Sequence, residues 1–254
     1  MTALPEFHEP IIIFDPYPRS KELIFQPQQW DRLQTLGRIV QADEGRLDPD
    51  TIDTYLPDAV ALIGQTDMPA ERLKRAKNLK AILNVEGNFL PNVDYEFCFQ
   101  EGTHVLAAAP AFAPAVAESA LAFALDLARG ITAADRDFRA GNENYGLAGN
   151  RDTFSLRQAD VGFIGFGNLA RALLPLLAPF HCRIRVFDPW LPDSYVRDYQ
   201  CQPASLEDLL STSRVIFILA TVTTENEGFI DDTQLGLIQP GAAVILMSRA
   251  AVVD

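Results

Sequence analysis

The sequence has 254 residues, which is enough for two domains of ordinary size, each with its own hydrophobic core. Its 34 acidic and 21 basic residues give a net charge of −13, which argues against nucleic acid or an anionic membrane as a partner. Because the three cysteines show no paired spacing and the N-terminus has no apolar leader, we expect a cytoplasmic protein without a disulfide framework or a metal site.

Five short apolar runs alternate with segments of helical pattern in the first 110 residues. This alternation is typical of βαβ crossovers and predicts a parallel sheet. We therefore expect residues 1–110 to form an α/β domain of the flavodoxin-like type. The expected strands are residues 11–14, 38–40, 59–63, 79–83 and 104–107.

The middle of the chain changes character twice. Residues 115–129 contain neither proline nor glycine and are apolar on most of their helical circumference, which predicts a buried helix. Residues 131–158 are polar and rich in glycine and asparagine. They form either an ordered arm or a loop that packs on another surface.

From Asp160 onward the alternation of strands and helices resumes. The order of these strands corresponds to the first five strands of a six-stranded, doubly wound dinucleotide-binding sheet. We therefore predict that residues 111–254 form a Rossmann domain that lacks its last strand. The expected strands are residues 161–165, 183–188, 200–203, 215–220 and 243–248.

A glycine-rich turn opens this second domain. Gly165 and Gly167 follow an apolar strand, and Ala170 is small enough to take the place of the motif's third glycine. Asp188 ends the following strand about twenty residues later, as in a dinucleotide-binding βαβ unit. The two glycines would shape the turn and let the backbone approach a pyrophosphate. Asp188 would accept hydrogen bonds from ribose hydroxyls and repel a 2′-phosphate, which favours NAD over NADP. Alternatively, the glycines only shape a turn and Asp188 only caps a strand.

Several short motifs occur in a fixed order between residues 75 and 254. They are Glu86-Gly87-Asn88, Asn92-Val93-Asp94, Val116-Ala117-Glu118, Gly165-Phe166-Gly167-Asn168, Phe187-Asp188-Pro189 and Ser248-Arg249-Ala250-Ala251-Val252-Val253-Asp254. Together they resemble the D-isomer-specific 2-hydroxyacid dehydrogenases. The resemblance implies a substrate domain followed by an NAD-binding domain, and an oxidoreductase that transfers a hydride between NAD(H) and a small 2-hydroxy or 2-oxo acid.

The resemblance also implies site residues. Arg249 takes the position of the family's arginine, whose planar fork suits a substrate carboxylate and carbonyl. In the alternative, structural interpretation, Arg249 only closes a strand by bonding to a loop. Gly87 and Asn88 match the substrate loop, although Phe89 replaces its second glycine and Glu86 adds an anion beside it. The predicted cofactor contacts are Gly165, Gly167, Asn168, Leu169, Asp188, Ala220, Thr221 and Ser248.

The family's acid/base histidine and its glutamate follow the arginine in sequence, so we expect this chain to lack both. His8, His104 and His181 match neither position. An alternative is therefore a non-catalytic NAD(H)-binding regulatory or interaction protein with the same fold. The resemblance further implies a homodimer formed through the cofactor domain.

Overall fold

A computed structural model describes residues 9–87, 89–223 and 225–254 of the chain. His8 and Asn88, both considered above, lie outside the described residues. The chain divides into two compact units, Met1–Ala111 and Phe112–Asp254.

The first unit is built on a five-stranded parallel sheet. Its strand order is β2-β1-β3-β4-β5, which is the flavodoxin-like order that the sequence predicts. The strands are β1 (Ile11–Asp15), β2 (Arg38–Gln41), β3 (Ala59–Gly64), β4 (Ala81–Asn84) and β5 (His104–Ala107). The helices of this unit are α1 (Lys21–Ile24), α2 (Pro27–Gln34), α3 (Pro49–Tyr55), α4 (Ala70–Leu73) and α5 (Tyr95–Glu101).

Both faces of this sheet are covered, as expected for parallel strands whose crossover helices pack on either side. Successive side chains of β1 alternate between the faces. Ile13 packs into one core cluster with Leu62, whereas Ile12 and Phe14 pack into another with Trp30. The continuous apolar run in β1 therefore follows from burial on both sides.

The second unit also holds a five-stranded parallel sheet, with the order β10-β9-β6-β7-β8. This order is the 3-2-1-4-5 part of the Rossmann arrangement, and it confirms the predicted fold. The strands are β6 (Asp160–Ile164), β7 (Arg183–Phe187), β8 (Gln202–Pro203), β9 (Val215–Ile218) and β10 (Ala243–Leu246). Its helices are α6 (Ala109–Arg129), which begins in the first unit, α7 (Ile131–Arg139), α8 (Gly146–Gly149), α9 (Asn168–Leu177), α10 (Asp193–Asp198), α11 (Leu206–Thr212) and α12 (Asp232–Leu235).

Helix α6 is buried on one face only, so the expectation of a buried helix is met on that face and not on the other. Ala117, Ala120 and Ala124 lie in the core of the second unit, whereas Phe123 and Leu127 are half exposed. The helix is long and apolar enough to cross a membrane by length and composition alone. When a helix is apolar on every side, its composition alone does not show which side packs against the core and which side is exposed.

The segment after α6 is an ordered arm with two helices, and neither α7 nor α8 has a buried residue. Its sequence left open whether it would be an arm or a packed loop. The arm carries large apolar side chains in exposed positions: Ile131, Phe138, Tyr145 and Leu147.

Candidate functional site

Gly165 is required by the packing of the second unit itself. Its φ angle is +92°, and a Cβ atom there would lie 2.7 Å from the Cα atom and 2.8 Å from the backbone nitrogen of Ala220. Because Ala220 follows β9, an inner strand of the sheet, its backbone has little room to move. A residue with a side chain at position 165 would therefore strain both the turn and the neighbouring strand.

Gly167 has a different environment. Its φ angle is −79°, which other residues adopt, and no atom lies within 4 Å of the place where a Cβ atom would stand. Gly167 is also the N-cap of α9 and provides no side-chain hydrogen bond to the first turn of that helix. The open space and the helix N-terminus together fit the pyrophosphate of a dinucleotide.

Asp188 follows β7 directly and holds the glycine-rich turn in place. One carboxylate oxygen accepts the backbone N–H of Phe166 at 2.8 Å, and the other accepts the N–H groups of Trp190 at 3.0 Å and Leu191 at 3.3 Å. A carboxylate offers about four acceptor positions. Asp188 therefore holds the turn in place with three of these positions and can still accept a hydrogen bond from a ribose hydroxyl.

The first turn of α9 carries a cation that the sequence analysis did not single out. Arg171 donates a hydrogen bond of 2.7 Å to the side-chain oxygen of Asn168, and it also donates to the hydroxyl of Tyr195. The i to i+3 spacing of residues 168 and 171 is the sequence signal that could have revealed this pair. Leu169, between them, packs against the core and contributes its backbone to the turn.

The ends of β9 and β10 meet at the same edge of the sheet. Ser248 donates a hydrogen bond from its hydroxyl to the carbonyl oxygen of Ala220. The loop after Ala220 is closed by the Asn226 side chain, whose oxygen accepts the N–H of Thr223 at 2.7 Å and whose NH₂ group donates to the carbonyl of Thr221 at 2.7 Å. Asn226 is thus a second residue that shapes the predicted cofactor site without having been predicted.

Arg249 is exposed just beyond β10, where it forms the N-cap of a short 3₁₀ turn. In the described residues its guanidinium has no hydrogen-bond or ion-pair partner. No bond in the described residues therefore supports the alternative, in which Arg249 only closes the strand by bonding to a loop. An exposed cation at the carboxyl edge of a parallel sheet is placed to bind an anion.

The substrate loop predicted in the first unit follows β4. Gly87 is exposed in a bend, and Phe89 packs edge-on against Tyr95 with ring centroids 5.9 Å apart. The Glu86 carboxylate accepts two hydrogen bonds from Arg19, at 2.8 and 2.9 Å, and these bonds raise the pKa of Arg19. The acidic residue beside the loop is therefore paired with a cation, which the sequence analysis did not foresee.

Buried polar side chains line the same edge of the first sheet. Asp15, at the end of β1, accepts the N–H of Leu47 at 3.0 Å and the hydroxyl of Thr66 at 2.7 Å. Asn92 donates to the carbonyl of Thr66 and to the side-chain oxygen of Asn84. These bonds join the end of β1 to the loop that follows β2 and connect the loops that follow β3 and β4, the last of which contains Gly87.

Comparison with known proteins gives a family for this arrangement. The profile of the D-isomer specific 2-hydroxyacid dehydrogenase NAD-binding domain matches residues 121–254. The chain belongs to this family. A phosphoglycerate oxidoreductase from Rhizobium etli has 44% sequence identity and a TM-score of 0.79, with coverage of 96% of this chain and 74% of that one.

Two curated dehydrogenase relatives are more distant. The D-3-phosphoglycerate dehydrogenase of Mycobacterium bovis is 28% identical over 209 residues, which cover 82% of this chain and 39% of the relative. The hydroxypyruvate reductase of Thermotoga maritima is 26% identical over 211 residues, which cover 82% of this chain and 66% of the relative. This chain therefore matches well under half the length of the first relative and just under two thirds of the second.

The histidines within the described residues lie away from the edges that carry the dehydrogenase motifs. His104 is the first residue of β5 and pairs with Ala81 at the start of β4, and His181 comes just before β7. Both therefore lie at the amino edge of their sheet, whereas Gly87, Asp188 and Arg249 lie at the carboxyl edge. Neither histidine therefore lies at the carboxyl edge of its own sheet.

Proposed function

We propose that this protein transfers a hydride between NAD(H) and a small 2-hydroxy or 2-oxo acid, with NAD(H) preferred over NADP(H). The observation that carries the proposal is the turn at Gly167, where the space that a side chain would fill is open and leads to the N-terminus of α9. Its membership of the dehydrogenase family and the position of Asp188 beside this turn support the same conclusion.

The family resemblance assigns two kinds of contact to the substrate. In the first unit, the backbone N–H groups at Gly87 and Asn88 would hold the substrate carboxylate. In the second, the Arg249 guanidinium would bind the substrate and polarise its carbonyl oxygen as negative charge develops there. NADH supplies the hydride when bound. The resemblance assigns the proton to a histidine that follows the arginine in sequence, and the assay uses the product of the complete gene.

The test is the oxidation of NADH by that protein with a panel of 2-oxo acids that includes hydroxypyruvate, glyoxylate and pyruvate. Arg249→Lys should lower kcat/KM by roughly 10²-fold, or about 2.7 kcal/mol, because a point charge replaces a bidentate fork. Arg157→Lys, at another exposed arginine of the second unit, is the matched control and should have no effect. NADH binding without turnover of any acid would instead support a regulatory or interaction protein.

We further propose a cytoplasmic homodimer that forms through the second unit. The support is the set of exposed apolar side chains on α6 and in the arm that follows it, namely Phe123, Leu127, Ile131, Phe138, Tyr145 and Leu147. A twofold interface buries the same patch on both copies, so one apolar surface is sufficient. The cysteines of the described residues are all free, which suits a reducing compartment.

A further inference from the structure

We propose that Arg171 is a positioning residue of the cofactor site, and that it acts by turning the side-chain amide of Asn168 so that the NH₂ group faces the cofactor pyrophosphate. The inference rests on the proposed function, which places a dinucleotide at the turn of Gly167. It assigns a role to the residue that follows Ala170, the last position of the glycine motif.

The chemistry of the two side chains fixes the orientation of this amide. Arg171 Nη2 lies 2.7 Å from Asn168 Oδ1. A guanidinium carries donors only, so the amide atom that faces it is the oxygen, and a rotated amide would bring two donors together. The NH₂ group of Asn168 therefore lies on the side of the amide away from Arg171. It has no partner among the described residues, so both of its hydrogens remain for a ligand.

Asn168 stands at the predicted pyrophosphate site. It is the first residue of α9 and follows Gly167, where a Cβ atom would meet no other atom within 4 Å. Side chains of an α-helix tilt towards its N-terminus, so the amide of Asn168 leans to the end where the backbone N–H groups are free to bind an anion. The NH₂ group adds donors to this set, whereas an amide oxygen in its place would repel phosphate oxygens.

Contacts with α10 hold Arg171 in place. Its guanidinium also donates to the hydroxyl of Tyr195, whose ring centroid lies 5.3 Å from that of Tyr199. Tyr199 packs edge-on against Phe166, again with centroids 5.3 Å apart. Phe166 lies between the two glycines of the turn. The contacts therefore run from the turn through α10 to the first turn of α9, and they restrict the position of the guanidinium.

The charge of Arg171 also favours an anion at this place. Both of its hydrogen-bond partners are neutral, and it forms no ion pair with any other described residue. A cation in the first turn of a helix opposes the helix macrodipole. A bound pyrophosphate offsets this conflict, so a residue that is unfavourable for the isolated helix is favourable for the complex.

The experiment is a double-mutant cycle on NADH affinity, measured by calorimetric titration of the product of the complete gene. Asn168→Ala should weaken binding by roughly 10- to 150-fold, because its hydrogen bonds to a charged group are lost. Arg171→Met, which keeps much of the side chain's length and removes its donors, should weaken binding by roughly 10-fold. In the Asn168→Ala background the same change should weaken binding by no more than about 3-fold, because the residue that it positions is already absent.

Two further variants separate this role from a structural one. Asn168→Asp keeps an acceptor for Arg171 and removes the NH₂ donors, so it should weaken NADH binding by roughly 10-fold or more. Its unfolding free energy should stay the same or rise, because a carboxylate is favourable at a helix N-terminus. Arg197→Met is the matched control, because Arg197 pairs with Asp193 at 2.8 Å on the exposed surface of α10; NADH affinity should not change.

An equal loss from Arg171→Met in both backgrounds would overturn the inference, because Arg171 would then act on the cofactor directly or through the fold. If Arg171→Met does not fold, the isosteric Asn168→Asp decides alone, and an unchanged NADH affinity contradicts the inference. Absence of NADH binding by the unmodified protein contradicts the proposed function and the inference together. NADH binding that Arg171→Met leaves unchanged contradicts only the inference.

Discussion

At the scale of single residues, the two glycines of one motif lie in different surroundings. The backbone of Ala220 excludes a side chain at Gly165, whereas no part of the chain excludes one at Gly167. The sequence motif assigns the glycines to a turn and a ligand. The clash between a side chain at position 165 and the backbone of Ala220, just after β9, depends instead on a contact across the sheet. Substitutions at the two positions should therefore separate folding from binding.

We predict that Gly165→Ala lowers the free energy of unfolding by about 2 kcal/mol or more, because the left-handed backbone and the clash with Ala220 both oppose a side chain. Gly167→Ala should leave the unfolding free energy within about 0.5 kcal/mol and weaken NADH binding by roughly 10-fold or more. Urea denaturation and calorimetric titration with NADH measure the two effects. Equal losses of stability in both variants would contradict the assignment of Gly167 to a ligand.

Asp188 combines a structural and a predicted functional role in one side chain. Asp188→Ala should weaken NADH binding by roughly 10- to 150-fold, since charge-assisted hydrogen bonds of about 1.5–3 kcal/mol are lost. Asp188→Asn retains an acceptor for the Phe166 N–H group and removes the charge, so it should preserve the turn and reduce the preference for NADH over NADPH. Titration of each variant with NADH and with NADPH measures the two affinities. Equal affinity of the unmodified protein for NADH and NADPH would exclude the proposed role of Asp188.

At the scale of elements, the start of the central strand β6 is joined to β7 by charge. Asp160 forms ion pairs with Arg183 at 2.5 Å and Arg185 at 2.7 Å. The two hydrogen bonds from Arg183, together with the one from Arg185, hold the pKa of Asp160 at about 2, well below its usual value. Both arginines are thus engaged at the amino edge of the sheet. They are not available to a 2′-phosphate beside Asp188 at the other edge.

This pairing gives a pH-dependent contribution to stability. The folded-state pKa lies below the unfolded value of about 3.9, so the stabilisation is present above that value and is lost as the pH falls towards about 2. Asp160→Asn should lower the unfolding free energy by about 1–2 kcal/mol at neutral pH. The difference from the unmodified protein should shrink steadily when urea denaturation is repeated below about pH 4.

The control is Asp193→Asn, because Asp193 pairs with Arg197 on the exposed surface of α10. Exposed pairs contribute about 0–1 kcal/mol, so the stability of this variant should stay close to that of the unmodified protein. A pH-independent loss in Asp160→Asn would mean that the charge is not what stabilises the two strands.

The sequence predicts elements better than it predicts contacts. Alternating apolar runs are a local signal, and both strand orders follow once the runs are taken as parallel crossovers. The partners of Arg19 and the bonds from Asn226 to the loop after β9 depend on how distant or irregular segments fold, so no local pattern encodes them. The exposed face of α6 was missed because composition alone does not show which side of an apolar helix packs.

At the scale of the whole molecule, the apolar surface of α6–α8 should hold two copies together. We predict, by light scattering coupled to gel filtration, a mass of twice that of one chain, which is twice 28.1 kDa for the 254 residues of this sequence. Phe138→Asp should convert the dimer to a monomer, because it places a charge in an apolar interface that would otherwise exclude water. Phe99→Asp, at an exposed phenylalanine of the first unit, should leave the dimer intact. A monomer at every concentration would remove the proposed interface.

The central claim, that this family member is an NAD-dependent dehydrogenase of 2-hydroxy acids, is tested most directly by analysing the product of one reaction. The protein from the complete gene is incubated with NADH and the 2-oxo acid that gives the fastest turnover, and the product is resolved by chiral chromatography. The account predicts that each NADH consumed yields one molecule of the D-2-hydroxy acid. It also predicts that Arg249→Lys lowers the rate of NADH consumption and the rate of D-2-hydroxy acid formation by the same factor. Formation of the L-isomer, or NADH binding without any hydroxy acid, would contradict it.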